Sequence, residues 1–390
     1  GAGIFTAQYY GRQDHQGIRY TFRFKILICT VLTLIAGGIF SLQGKQLIGL
    51  YLTGEGDAAS AMEAMEYGMQ YLKISLWGLL PFALANAYSS TLRETGETVV
   101  PMIAGVTAVF VNLFLNYVLI FGHFGAPRMG VAGAALATTV SRFAELAIVA
   151  AWTHKNSARN PFILGALSSA YIPGTLLKEV SVKGMPLLAN EFLWSTGVAI
   201  LNQCYSTCGL DVVPAVNITN TLYNVGSVVY QSMGIAVGII MGQMLGACAT
   251  REAVQDKNRK LLFTSICCGL VFGVLMAMAA MPFPKIYNTT ANVQELAAVM
   301  ILLSSIMLPF NAFTNATYFT LRSGGQTMVT FLFDSCFVWA VCVPTAFVLS
   351  RFTGMGIIPL FGLIQAMDLV KCIIGGRMIR QGKWIQNLTN

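Results

Sequence analysis

Apolar residues in this chain gather into long runs, at about 24–44, 68–92, 99–122, 130–153, 182–206, 212–247, 260–283, 295–320, 326–350 and 355–379. A run of about 20 apolar residues crosses a hydrocarbon core of about 30 Å as a helix. In lipid only a helix or a closed barrel satisfies its own backbone, and these runs lack the period-two alternation of barrel strands. The pattern predicts an all-α polytopic membrane protein with ten spans. A short opening stub reads as the end of a further helix.

Composition agrees with this reading. The 390 residues are 55% hydrophobic and 10% charged, with mean hydropathy +0.65, whereas soluble domains carry about 25% charged residues. The formal net charge is +8, but the basic residues form short clusters between apolar runs. That distribution sets topology and offers no continuous face to nucleic acid. With the loop after the stub inside, alternate loops take Arg12, Arg19, Arg23 and Lys25; Arg93; Lys155, Arg159, Lys178 and Lys183; Arg251, Lys257, Arg259 and Lys260; Arg322; and Arg377, Arg380 and Lys383. The opposite loops hold only Lys45, Arg128, Lys285 and Arg351, with acidic Glu55, Asp57, Glu63 and Glu66. The positive-inside rule places the C-terminus in the cytoplasm. His15, His123 and His154 fall in expected loops far apart, and most cysteines lie within apolar runs, so neither a histidine metal site nor a disulfide framework is indicated.

Breaker signals at Asn160-Pro161 and Pro173-Gly174 divide the chain into an N-terminal lobe at 1–160, a cytoplasmic loop at 161–177 and a C-terminal lobe at 178–390. Two motifs recur across that division. Gly3-Ile4-x-x-x-Gln8-x-x-Gly11 returns as Gly238-Ile239-x-x-x-Gln243-x-x-Gly246, and Thr91-Leu92-Arg93-x-x-Gly96-x-Thr98 returns as Thr320-Leu321-Arg322-x-x-Gly325-x-Thr327. Like-oriented repeats are a transporter architecture. The repeat spacing puts the start of a complete first lobe about 59 residues before Gly1. Two six-helix lobes are therefore expected, the first lacking about one and a half helices here.

Together with Asn112-Leu113-Phe114-Leu115-Asn116-Tyr117 and the run Gly130-Val131-Ala132-Gly133-Ala134-Ala135, these motifs resemble the multidrug and toxic compound extrusion (MATE) family across the whole chain. The resemblance implies a cation-coupled antiporter that exports organic cations or drugs by alternating access between the lobes. It also implies a multi-pass protein of a bacterial inner membrane. No cofactor is expected, and the coupling ion, H⁺ or Na⁺, is itself transported.

An ionisable group within the bilayer costs about 2.5–3.5 kcal/mol on insertion scales, so each one marks a functional candidate. Glu191, two turns into its helix with no Lys or Arg within a turn, is the first coupling candidate, and an acidic residue on this helix is implicated in cation binding in the family. Asp334 is the second. Asp368 and Lys371, three residues apart, read as a pair on the helix surface, and Glu145 as neutralised by Arg142. Asn112 and Asn116 share a helix face and suit either a cation or helix-to-helix bonding. With Asn190, Asn217, Thr221, Asn311, Trp194 and Tyr223 they form the expected substrate cavity, where aromatic rings attract organic cations. Some relatives are acidic where Asn116 and Asn311 stand, which leaves the ion open. A lipid-linked glycan flippase is the alternative, and it needs buried cations against a pyrophosphate. No phosphate-binding loop, Ser-His pair or paired aspartate motif points to an enzyme.

Overall fold

A computed structural model describes residues 1–50 and 58–389, so Glu55 and Asp57 lie outside the described residues. Among the described residues there are eleven α-helices. They are α1 (Ala2–Gly11), α2 (His15–Gly49), α3 (Ala58–Glu94), α4 (Val99–Phe121), α5 (Val131–Lys155), α6 (Gly174–Ser206), α7 (Val212–Gly246), α8 (Arg251–Ala279), α9 (Ala291–Ser323), α10 (Thr327–Phe352) and α11 (Ile357–Gln381). Each expected span falls on one of α2 to α11, and the stub is α1. Eight of these helices are long and apolar enough to cross a membrane. The two others, α3 and α6, are the more polar ones, interrupted by Lys73 and by the Pro186 to Glu191 stretch.

Several helices run past their apolar cores because polar side chains cap them. Asp14 accepts from the Gly17 N–H at 2.9 Å, and Thr250 and Thr290 accept from Ala253 and Val293 at 3.4 Å. The outward side of α4 is apolar, with Val109, Phe110, Leu113 and Phe114 all more than half exposed, as a lipid-facing surface requires.

Two compact units result: residues 14–177 with Ala2, and residues 178–390 with Gly1 and 3–13. The opening stretch departs from the expected 1–160 lobe, because residues 3–13 pack with the second unit. The reason is a backbone contact between the two copies of the first motif. A Cβ on Gly11 would sit 1.9 Å from the Gln243 carbonyl oxygen, and one on Gly246 would sit 1.9 Å from that of Gln8. Only glycine at both places lets the two helix ends meet reciprocally.

The repeats are also alike in conformation. Leu92 O accepts from Glu97 N at 2.8 Å and Arg93 O from Gly96 N at 3.1 Å; Leu321 O accepts from Gln326 N at 3.1 Å and Arg322 O from Gly325 N at 2.9 Å. Gly96 and Gly325 have φ of 88° and 76°. Both helices thus end in the same left-handed glycine cap. The other motif ends on a left-handed residue without glycine's freedom in each copy, Gln13 at φ 62° and Cys248 at φ 53°.

In the first unit the loop at 161–177 is held to α2: Arg23 donates to the carbonyls of Ala166, Gly165 and Tyr171, and Arg19 to those of Phe162 and Pro161. Phe162 is buried against Phe22. His154, expected in a loop, lies in the last turn of α5 and hydrogen-bonds the Tyr88 hydroxyl at 3.2 Å.

Candidate functional site

The chemistry of the second unit gathers where α6, α10 and α11 meet. Through residues 332–336 and 338–342, α10 takes π-helical turns, a local widening that is rare and frequent at functional sites. Asp334 and Ser335 lie in the first of these. The Ser335 hydroxyl donates to the Asn190 backbone carbonyl at 2.8 Å and its side-chain oxygen at 2.7 Å. That bond orients the amide so that its nitrogen donates to Asp334 Oδ2 at 3.1 Å. Asn190 is 2% exposed and Ser335 fully buried, so this arrangement is a built one, with little water to substitute for a missing partner. The Trp339 indole donates to Leu193 O at 2.8 Å and fastens the same stretch of α10 to α6.

On the other side of Asp334 stands Lys371 of α11. Its ammonium lies 3.4 Å from Asp334 Oδ1 and 3.1 Å from Asp368 Oδ1, 5.4 Å over the Phe337 ring, with its side chain 8% exposed. The expected surface pair of Asp368 and Lys371 is corrected here. The i,i+3 contact exists, but Lys371 points inward and is shared with a second carboxylate on another helix. Lys371 is thus buried between two carboxylates whose side chains remain 25% (Asp334) and 28% (Asp368) exposed, and without them its ammonium would be a costly unpaired charge.

A neutral network lies between α7 and α9. The Asn311 amide donates to the Tyr223 hydroxyl at 3.1 Å, and the Tyr223 and Tyr230 hydroxyls are 3.0 Å apart. The pairing of Asn311 with Tyr223 joins two of the expected cavity residues. Glu191 follows Asn190 but is exposed, and it makes no hydrogen bond or ion pair among the described residues. Ser195 and Asn202 lie exposed on the same face of α6 at helical spacing, and Asn217, Thr221 and Asn224 do so on α7. Polar stripes of this kind belong against water and not acyl chains. Trp194 is 45% exposed and stands near Glu191 along α6.

The first unit differs. Asn116 donates to Asn112 Oδ1 at 3.0 Å, and Asn112 to Thr138 Oγ1 at 3.2 Å, which ties α4 to α5. The Asn116 side-chain oxygen is buried with no hydrogen-bond partner among the described residues. The expected neutralisation of Glu145 by Arg142 is present at 3.1 Å, with Arg142 also 4.6 Å over the Phe82 ring.

Of the residues in these networks, the sequence named Asp334 and Asn190 as candidates and Lys371 only as the partner of Asp368; it did not single out Ser335, Tyr230 or Tyr318, whose hydroxyl lies 3.5 Å from the Asn190 amide nitrogen. For Lys371 a signal existed, since it is a basic residue well inside an apolar run; its local Asp368 partner hid the distant one.

Comparison with known proteins gives a consistent family. A MatE family model matches residues 1–118 and 186–348. A probable multidrug resistance protein NorM of Thermotoga maritima is 25% identical over 340 residues, 87% of this chain and 70% of that protein. A probable multidrug resistance protein YoeA of Bacillus subtilis is 25% identical over 364 residues, 92% of this chain and 76% of that one. Among solved structures, a MATE protein in complex with MaL6 superposes with a TM-score of 0.83 at 18% identity, covering 98% of this chain and 84% of that one. The Vibrio cholerae MATE transporter VcmN in the bent form gives 0.79 at 18% identity, over 99% and 86%. The structural likeness shows a shared fold, and the family model covers well over half of the chain. The chain belongs to the MatE family of multi-pass membrane transporters, and it is not an enzyme.

Proposed function

We infer that this protein exports organic cations or drugs across a bacterial plasma membrane in exchange for H⁺ or Na⁺, by alternating access, with its C-terminus in the cytoplasm. The observation that carries this reading is the cluster of buried Asn190 and Lys371 with the partly exposed carboxylates of Asp334 and Asp368: ionisable groups set among apolar spans are expensive and have a use in binding and releasing a coupling ion. Asp334 is the coupling carboxylate of the cluster. Glu191, on the polar face of α6, is the second acidic group, placed where water or a cationic substrate reaches it. Asn217, Thr221 and Trp194 offer polar and aromatic contacts on exposed faces, while Tyr223 and Asn311 form the inner network. The multidrug resistance relatives support a drug-like substrate.

A lipid-linked glycan flippase would need free buried cations. Here Lys371 is engaged by two carboxylates, and Lys25, also buried, is paired with Glu94. The test is ethidium efflux from exporter-deficient cells with the proton or sodium gradient collapsed in turn. Gradient-dependent efflux that is lost in Asp334→Asn and weakened in Glu191→Gln is expected. Full efflux from an equally abundant Asp334→Asn protein would overturn the assignment.

A further inference from the structure

We propose that Lys371 is a tethered cation that occupies the place a sodium ion would take between Asp334 and Asp368, so that this cluster exchanges a proton and excludes Na⁺. The inference rests on the antiport reading above and names its ion.

The ammonium stands within 3.4 Å of both carboxylates, on the side of Asp334 opposite Asn190. Each remaining contact in the cluster presents a hydrogen where a metal needs an oxygen. Asn190 turns its N–H to Asp334, and it is held that way because Ser335 donates to its oxygen. A hard monovalent cation is bound by several oxygens converging on one point. At Asp334 they do not converge, and the nearest position is already held by a positive charge on a buried stem.

A proton needs only one carboxylate lone pair. Two aspartates against one lysine leave a single negative charge, which one proton cancels. When H⁺ adds to Asp334, its attraction for Lys371 ends and the ammonium remains with Asp368, one residue triplet away on α11. When the proton leaves, the Asp334 to Lys371 pair re-forms. The balance is one proton bound and one released, with no other reactant. The π-helical turns around Asp334 put this change on the segment of α10 with the least regular hydrogen bonding. The other titratable groups within electrostatic reach are Tyr205 of α6, Tyr223 and Tyr230 of α7, Tyr318 of α9, Cys342 of α10, Cys372 of α11 and, through Tyr318, Arg322 of α9 and Glu191 of α6. Arg322, the cation among them, acts on Tyr318, and Lys371 is the basic side chain in direct contact with the two carboxylates among the described residues.

The experiment compares purified protein in Na⁺ with protein in choline of equal ionic strength, by thermal unfolding and ²²Na⁺ binding, and then follows ethidium uptake into vesicles under an imposed pH or Na⁺ gradient. Wild type is expected to bind no ²²Na⁺, to keep one Tm in both salts and to transport only under the pH gradient. Lys371→Met vacates the position between the carboxylates, so Na⁺ is expected to bind and to raise Tm by about 2–4 °C. Lys371→Arg keeps the tethered charge and is expected to remain indifferent to Na⁺. The double variant Lys371→Met with Asp334→Asn, which removes both partners, serves if the single variant folds poorly and is expected to bind no Na⁺. Sodium binding by wild type, or Na⁺ indifference of a folded Lys371→Met protein, would overturn the proposal. Absence of ethidium transport under either gradient would instead sink the drug-export reading, since the binding assay does not depend on it.

Discussion

The two units carry the same repeated Leu-Arg-x-x-Gly helix end and different polar interiors. At the repeated turn, the first unit ties α2 to α3 through Lys25, which donates to Ser90, Thr91 and Glu94. The second ties α8 to α9 through neutral groups, Thr320 donating to Asn258 at 2.9 Å. Deeper in, the pattern reverses: the first unit holds the amide ladder of Asn112, Asn116 and Thr138, and the second holds the charged cluster around Asp334. A shared scaffold fixes helix geometry, while the placement of charge is free to differ. Charge at a helix end serves packing and topology; charge amid the spans is where an ion can be exchanged.

The largest effect should come from charge removal at the second site. Asp334→Asn is expected to reduce gradient-driven ethidium efflux to background at unchanged membrane abundance, whereas Asn116→Ala should leave efflux within about twofold, since a lost neutral amide bond in a membrane averages only about 0.6 kcal/mol. Next in size is stability. Lys371→Met leaves two carboxylates without their cation and should cost about 3–5 kcal/mol, and replacing Asp334 by Leu in the same protein should recover much of this, as measured by thermal unfolding in detergent. The repeat contact comes third. A Cβ at Gly246 meets the Gln8 backbone, so Gly246→Ala should destabilise by about 1–3 kcal/mol, and Gly11→Ala by a similar amount through Gln243. The smallest effect belongs to the first unit's ladder, where Asn112→Ala should cost about 0.6–2 kcal/mol and loosen α4 from α5, read by hydrogen exchange.

Much of the fold was legible because spanning a bilayer demands long apolar runs. The ends of helices were less so: α2 begins at His15, well before its apolar run, since Asp14 supplies a cap that hydropathy does not register. The repeat is legible as a duplication, and the structure adds that its Gln-x-x-Gly ends touch one another, which spacing alone does not show. At the site, composition singled out Asp334 as a carboxylate within a span. The pairing with Lys371 joins α10 to α11, and the bond to Asn190 joins α10 to α6; such partners depend on packing across helices and leave no local pattern. The π turns of α10 are equally silent in sequence, because they arise from how the helix is seated. Glu191, the leading acidic residue by sequence, stands on an exposed polar face, outside the hydrogen-bonded cluster.

The most direct test of ion coupling through the second unit is ethidium flux in vesicles of wild type and Asp334→Asn, each under an imposed pH gradient and with none. Flux that follows the gradient in wild type and is indifferent to it in the variant is the outcome expected here. Equal gradient-driven flux in both, at equal protein content, would contradict the assignment of coupling to the Asp334 cluster.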